Sequence, residues 1–208
     1  FSENTAVLGG GMYNTSSSSP SLTNVTFSSN SSNYRGGGMG NSGSSSPTLT
    51  NVTFTSNTAT DSGGGMNNSD SSSPTLTNVT FSENTADLGG GMSNYYQSSP
   101  TLTNAILWGN TPDQIHGSAF VTYSDIQGGY SGTGNINQNP YLGPLAYNGG
   151  FTKTHALGAG SPAIDAANTS SCSPFDQRGV ARPIDGDGDG TASCDMGSYE
   201  YVPIKHIY

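Results

Sequence analysis

A short acidic segment near the C-terminal end has the residue types and the spacing of a calcium-binding loop. Aspartate alternates with glycine from Asp185 to Gly190, so several carboxylates can surround one cation while the glycines permit a tight turn. In a twelve-residue loop of this kind the last ligand position is acidic, but here that position is Met196, with Asp195 one place earlier. We predict a Ca²⁺ site, with a flexible acidic turn as the alternative. Its predicted ligands are Asp185, Asp187, Asp189 and Asp195.

Two cysteines, Cys172 and Cys194, lie on either side of this acidic loop. Each lies in a segment with little regular pattern, where a cross-link would stabilise the chain. We predict that they form one disulfide, which places the protein in an oxidising compartment outside the cytoplasm. Two free thiols are the alternative.

Other polar residues in the C-terminal part are predicted to have structural roles. Arg178 and Arg182 are expected to pair with carboxylates such as Asp165 and Asp176, or with carbonyl groups at strand ends, rather than to act in catalysis. The three histidines are far apart and have no metal-ligand spacing, so surface or turn positions are predicted. These histidines are His116, His155 and His206.

A long repetitive region precedes these residues, and its period predicts the fold. Phe27, Phe54 and Phe81 are 27 positions apart, and Trp108 continues the series. A methionine column follows intervals of 27, 27 and 26 and includes Met39, Met66 and Met92. Each unit has three short apolar groups separated by turn-forming residues, and one unit is too small to close a core. We predict an all-β fold, a right-handed single-stranded parallel β-helix with three short strands in each coil of about 27 residues.

One segment of each repeat predicts a bend. Simple strand alternation would place Leu49 and Val52 on opposite faces. A bend at Asn51, in the left-handed conformation that Asn tolerates, turns Leu49, Val52 and Phe54 all towards the inside. The asparagines at this position are predicted to stack as an amide ladder, and they are Asn24, Asn51, Asn78 and Asn104. A second asparagine column is predicted at the next corner, comprising Asn30, Asn57, Asn84 and Asn110.

The decay of the repeat predicts three regions. Regular coils are expected over residues 1–110, degenerate coils over 111–166, and an irregular cap with the disulfide and a tail over 167–208. The first coil shows no cap at Phe1, so an open end with unpaired strand edges is predicted. We expect either further coils upstream or self-association through this end, which would propagate head to tail into a filament. The β-prone tail Val202–Tyr208 is a candidate for an added strand on a neighbour.

The overall composition excludes some classes of partner. A net charge of −9 with only 5 Lys and Arg residues would repel nucleic acid. No apolar run approaches the length of a membrane span, and no signal peptide is visible. Hydrophobic residues make up 31% and charged residues 9% of the chain, which indicates a thin core held largely by backbone ladders.

Two groups of motifs resemble known families. The repeated Gly-Gly-Gly-Met and Phe-Ser-x-Asn resemble the β-helix repeats of the pectate-lyase-like superfamily, as found in polymorphic outer-membrane proteins of bacteria. The C-terminal part resembles the choice-of-anchor Q domain. The matching stretches are 148–150, 160–166, 176–179, 182–183 and 194–201. This resemblance implies an exported bacterial surface protein and an architecture, but it implies no particular reaction.

These observations predict a non-enzymatic structural or adhesive module, secreted to the bacterial cell surface, with a cell-surface glycan as a further candidate partner. The alternative is a pectate-lyase-like enzyme that binds or cleaves polysaccharide. Such an enzyme needs a cluster of acids or a base beside bound Ca²⁺, whereas the repeats contain one basic residue, Arg35, and scattered acids. A minor alternative is an ice-binding solenoid. It rests on two outward threonine columns, which are Thr23, Thr50, Thr77 and Thr103, and Thr26, Thr53 and Thr80.

Overall fold

The computed structural model describes residues 1–204, and it confirms the predicted class of fold. The chain forms a parallel β-solenoid of about four turns with three strands per coil, and helix accounts for 1% of it. Three parallel sheets form the walls of the solenoid, and a separate antiparallel hairpin follows them. The prediction for the tail Val202–Tyr208 concerns in part residues 205–208, which lie outside the described residues, as does His206.

Each sheet contains the strands that occupy the same wall in successive coils. The first sheet contains β1 (Thr5–Leu8), β4 (Ser31–Arg35) and β7 (Thr58–Ala59). The second contains β2 (Met12–Asn14), β5 (Met39–Asn41), β8 (Met66–Asn68), β10 (Met92–Asn94) and β13 (Ile115–His116). The third contains β3 (Ser21–Ser28), β6 (Thr48–Thr55), β9 (Thr75–Ser82), β11 (Thr101–Thr103), β12 (Ile106–Trp108), β14 (Phe120–Thr122) and β15 (Asp125–Ile126). The hairpin consists of β16 (Leu142–Ala146) and β17 (Thr154–Leu157).

The bend predicted within the third sheet is present in each of its long strands. Asn51 has a φ of 54°, in the left-handed region, and the equivalent asparagines have φ between 53° and 59°. As a result, Leu49, Val52 and Phe54 are all fully buried in the core. The bend thus lets one eight-residue strand contribute three apolar side chains to the inside of one coil.

Identical side chains stack on one another along the core. The rings of Phe27 and Phe54 lie 4.8 Å apart at an angle of 3°, and those of Phe54 and Phe81 lie 4.6 Å apart at 7°. Phe1 extends the stack over Phe27 with a separation of 4.7 Å. The methionine column is also in register, since Met39 pairs with Met66 and Met66 pairs with Met92.

The predicted place of Trp108 in the phenylalanine column is wrong. Leu107 pairs with Phe81 in the parallel ladder, whereas Trp108 pairs with Ser82 and is only half-buried. The physical reason is a coil that is one residue shorter. Met66 pairs with Met92 across this step, so the aromatic column also advances by one residue fewer than in earlier coils.

Glycine is required where successive coils turn between the first and second sheets. Gly36 has a φ of +70°, and a Cβ on Gly37 would lie 2.4 Å from the Gly64 carbonyl oxygen of the next coil. Only residues without a side chain therefore permit coils to stack about 4.8 Å apart at this corner. This close approach explains the run of three glycines in each repeat.

The parallel ladders end sooner than the sequence pattern suggested. The last coil contact is the bridge between Asp125 and Ile136. Residues 142–157, predicted to continue the degenerate coils, instead form the antiparallel hairpin β16–β17. Residues 142–204, here called the C-terminal segment, lie along the outer side of the third sheet, in contact with successive coils.

Candidate functional site

The C-terminal segment binds a threonine column on the outside of the third sheet. Gln177 donates from Nε2 to Thr26 Oγ1 at 2.8 Å and accepts from Thr53 Oγ1 at 2.7 Å. Ser198 Oγ lies 2.9 Å from Thr53 Oγ1 and 3.2 Å from Thr80 Oγ1. These two side chains therefore join three successive coils. The prediction that Thr26, Thr53 and Thr80 present an outward surface is wrong, because the C-terminal segment covers and buries them.

His155 forms a second attachment between the segment and the coils. The prediction of a surface or turn position is wrong for this residue, which is buried on strand β17. Its Nδ1 donates to the Gly143 carbonyl at 2.7 Å, and its Nε2 lies 3.0 Å from the Thr55 hydroxyl. Burial lowers the pKa of His155 and so favours the neutral ring, in which Nε2 accepts from that hydroxyl.

A buried network of charged residues organises the end of the C-terminal segment. Arg178 Nη2 lies 2.7 Å from Asp176 Oδ2, and Arg182 Nε lies 3.2 Å from Glu200 Oε2. Arg182 also donates to the carbonyls of Asp195 and Gly197. The predicted pairing of these arginines with carboxylates and carbonyls is confirmed.

The network contains one more acid than base. Burial lowers the pKa of Arg182 and raises that of Glu200. Burial first, and the nearby Glu200 second, raise the pKa of Asp195 to about 8. Burial thus opposes ionisation of Asp195, whereas the backbone N–H groups of Asp165 and Tyr201, which both donate to its carboxyl oxygens, favour the charged form.

The acidic loop brings together a different set of carboxylates from the one predicted. Ligand oxygens of Asp165, Asp185 and Asp187 all lie within 4.8 Å of one another. Asp189 and Asp195 are not part of this group, and both Asp195 oxygens accept backbone N–H groups, from Asp165 and Tyr201. Asp165 was not predicted as a member of this group, because twenty positions separate it from Asp185 in the sequence.

Asp165 also holds the loop in shape. Its Oδ2 accepts from the backbone N–H groups of Gly186 and Asp187, and its Oδ1 accepts from Ser193. None of the salt bridges of residues 1–204 involves Asp165, Asp185 or Asp187. The three carboxylates thus form a concentrated negative site that fits the oxygen ligands a calcium ion takes.

The disulfide between Cys172 and Cys194 is present, which confirms that prediction. It joins positions 22 apart in sequence and so closes a loop around the acidic turn. Cys194 is fully buried, and its backbone N–H donates to Thr169 Oγ1. The cross-link therefore fixes the loop to the body of the C-terminal segment.

The asparagine columns differ from the prediction in an informative way. In the column of asparagines at the bend, only the first pair forms a hydrogen bond between side-chain amides, which Asn51 Nδ2 donates to Asn24 Oδ1 at 3.2 Å. Asn78 and Asn104 instead bind the C-terminal segment, because side chains at this bend point outwards towards it. The continuous amide ladders between coils are formed by asparagines at other positions of the repeat.

The second asparagine column forms a continuous ladder. Asn57 Nδ2 donates to Asn84 Oδ1 at 2.9 Å, and Asn57 Oδ1 accepts from Asn30 Nδ2 at 2.9 Å. A third ladder, which the sequence analysis missed, follows each core methionine by two positions. Its members are Asn14, Asn41, Asn68 and Asn94. The recurrence of Asn at this position was the available signal.

Comparisons with known proteins give no further identification: no family model, no curated protein and no solved structure matches the chain. Among residues 1–204, no helix is both long and apolar enough to cross a membrane. The parallel β-solenoid repeat architecture and the disulfide are therefore the established properties of this chain.

Proposed function

We propose that the chain is a non-enzymatic structural or adhesive module of a bacterial cell surface. The observation that carries this proposal is the use of polar residues of the C-terminal segment for attachment. Gln177, His155 and Ser198 bind hydroxyl groups of successive coils, and Arg178 and Arg182 are buried in ion pairs. Side chains that would do chemistry in an open cleft here fasten one part of the fold to another.

We further propose a family and a location for the protein. In this proposal the repeats are of the pectate-lyase-like type, and the C-terminal segment is a choice-of-anchor Q domain. The motif stretches of that resemblance supply the buried network, since Asp176, Arg178, Arg182 and Glu200 all belong to them. The disulfide supports a location outside the cytoplasm, because such bonds persist in oxidising compartments.

An activity screen combined with imaging tests this function. The purified chain is incubated with pectin, polygalacturonate and neutral polysaccharides, with and without calcium, and new reducing ends and unsaturated products are measured. We expect no product above a heat-denatured control, and rod-shaped particles in negative stain. Release of product by the native chain would refute the non-enzymatic role.

The proposal also assigns Ca²⁺ to the acidic loop, with Asp165, Asp185 and Asp187 as ligands. Thermal melting with calcium and with chelator tests this assignment. We expect calcium to raise the melting temperature of the wild type and of Asp87→Asn, a change at an exposed acid in the coils. Asp187→Asn should abolish the shift. An equal melting temperature in calcium and chelator would exclude the site.

Self-association is the remaining part of the proposal. Strands β1 and β2 each have one edge without a partner strand among residues 1–204, and the same edge of β3 is met only by the bridge between Ser2 and Ser28. Phe1 is 52% exposed on the end of the ring stack. Unpaired parallel edges above an apolar column favour docking of another coil. Light scattering should show concentration-dependent growth that Phe1→Asp reduces, and a monomer at all concentrations would count against docking of a second copy.

A further inference from the structure

A groove lined by tyrosines crosses the corner between the first and second sheets. This groove, here called the tyrosine groove, has a volume of about 150 Å³. Its lining includes Tyr13, Tyr34, Arg35, Asn67 and Asp70. The side chains of Tyr13 and Tyr34 are 42% and 45% exposed. Large aromatic side chains thus face solvent next to polar groups.

The Tyr13 ring is held against the wall by a specific gap in the next coil. Gly40 occupies the position that pairs with Tyr13, and a Cβ there would lie 2.9 Å from Tyr13 Cδ2. The equivalent positions in the following coils carry side chains, Asn67 and Ser93. Glycine at this one position therefore lets the ring rest on the sheet surface.

The Tyr34 ring is fixed by the single basic residue of the repeats. The Arg35 guanidinium lies 4.4 Å from the centre of the Tyr34 ring and 5.7 Å from that of Tyr95. Its Nε donates to Asp61 Oδ2 at 2.6 Å. Arg35 is thus neutralised by Asp61 and orients Tyr34, rather than offering a free positive charge.

Two oriented acceptors lie beside the rings. Asp70 Oδ2 accepts from the hydroxyls of Ser42 at 2.7 Å and Ser69 at 3.1 Å, which leaves Oδ1 to accept from a ligand. Asn67 Nδ2 donates to Ser62 Oγ at 3.1 Å, which leaves its carbonyl oxygen as an acceptor. The groove therefore combines flat apolar faces with acceptors for hydroxyl groups.

This combination matches the chemistry of a sugar ring, which has C–H groups on its faces and hydroxyl groups at its rim. The charge on the groove decides between sugars. Arg35 is paired, Asp70 adds a negative charge, and the chain carries a net charge of −9, so acidic sugars are repelled. We propose that the tyrosine groove binds a neutral pyranose unit of a polysaccharide, which stacks on Tyr13 and Tyr34 and donates a hydrogen bond to Asp70. The inference rests on the adhesive role proposed above and names its binding site.

Affinity electrophoresis tests the site with defined probes. Native gels contain soluble β-glucan, mannan, arabinoxylan or polygalacturonate, and migration is compared with a gel without polysaccharide. We expect at least one neutral polysaccharide to retard the wild type, and the double variant Tyr13→Ala/Tyr34→Ala to bind at least tenfold more weakly. The matched control Tyr147→Ala removes a tyrosine that is 69% exposed elsewhere, and should bind within twofold of the wild type.

A second variant tests whether weaker binding by the double variant is caused by misfolding. Gly40→Ala removes none of the aromatic or polar lining residues but displaces the Tyr13 ring, so it should weaken binding severalfold while circular dichroism stays unchanged. Absence of retardation by every neutral polysaccharide, full binding by the double variant, or stronger retardation by polygalacturonate would overturn the inference. Product release in the activity screen would refute the non-enzymatic proposal while leaving binding by the groove intact, so the two failures are distinguishable.

Discussion

Replacing Phe54 by alanine should be among the most destabilising changes in the chain. Phe54 is fully buried, and its ring is stacked on both sides, at 4.8 Å from Phe27 and 4.6 Å from Phe81. A buried Phe→Ala change costs about 3–5 kcal/mol, and the loss of two stacked pairs places this one at the upper end of that range. Phe1 is half-exposed and has one stacked neighbour, so Phe1→Ala should cost only about 1 kcal/mol.

Equilibrium urea denaturation, followed by circular dichroism, measures these differences in the free energy of unfolding. Phe54→Leu serves as the matched control, because Leu107 occupies the same column one coil beyond Phe81. We expect Phe54→Leu to cost less than about 1.5 kcal/mol. If Phe54→Ala costs no more than Phe1→Ala, the ring at this position is not enclosed between coils, and the stacked-core account is refuted.

Three further predictions concern the ladders, the cross-link and the buried histidine. Asn57→Ala should lower the free energy of unfolding, measured by urea denaturation, by about 2–4 kcal/mol, because it leaves several buried partners unpaired. The control Asn33→Ala, at an exposed position, should change it by no more than about 0.5 kcal/mol. An equally small change in Asn57→Ala would contradict the ladder. Reduction of Cys172–Cys194, which spans 22 positions, should cost about 3 kcal/mol, and an unchanged denaturation midpoint with reductant would argue against that contribution. His155 has a lowered pKa in the folded chain, so protonation in the unfolded chain removes stability as the pH falls below its ordinary value of 6.5. The wild type should therefore lose stability more steeply than His155→Gln between pH 7 and pH 5, and parallel profiles would exclude this titration.

The coil architecture was predictable because its chemistry recurs at a fixed interval. Phenylalanine and methionine columns can be buried only if each repeat contributes one turn, and the bend at Asn51 follows from the need to bury both Leu49 and Val52. The error at Trp108 arose from keeping one period through a coil that is a residue shorter. The Met66–Met92 interval already contained that information.

The course of the C-terminal segment could not be predicted, because nothing in its sequence repeats. Gln177 and Thr53 are 124 positions apart, and their contact depends on the path of the intervening chain. For the same reason Asp165 could not be assigned to the acidic loop, and His155 was placed at the surface. A threonine on an outer wall gives the same local pattern whether water or another segment covers it.

Engineered cross-links test the central claim, that each stretch of about 27 residues is one coil stacked on the next. Thr58, Thr85 and Thr111 are exposed and form successive bridges in one column. Adjacent strands lie about 4.8 Å apart, within reach of a disulfide, whereas positions two coils apart lie at about twice that distance. Mass spectrometry after mild oxidation should show a cross-link in Thr58→Cys/Thr85→Cys and none in Thr58→Cys/Thr111→Cys. Free thiols in the first variant, or a cross-link within the second, would contradict the stacked-coil account.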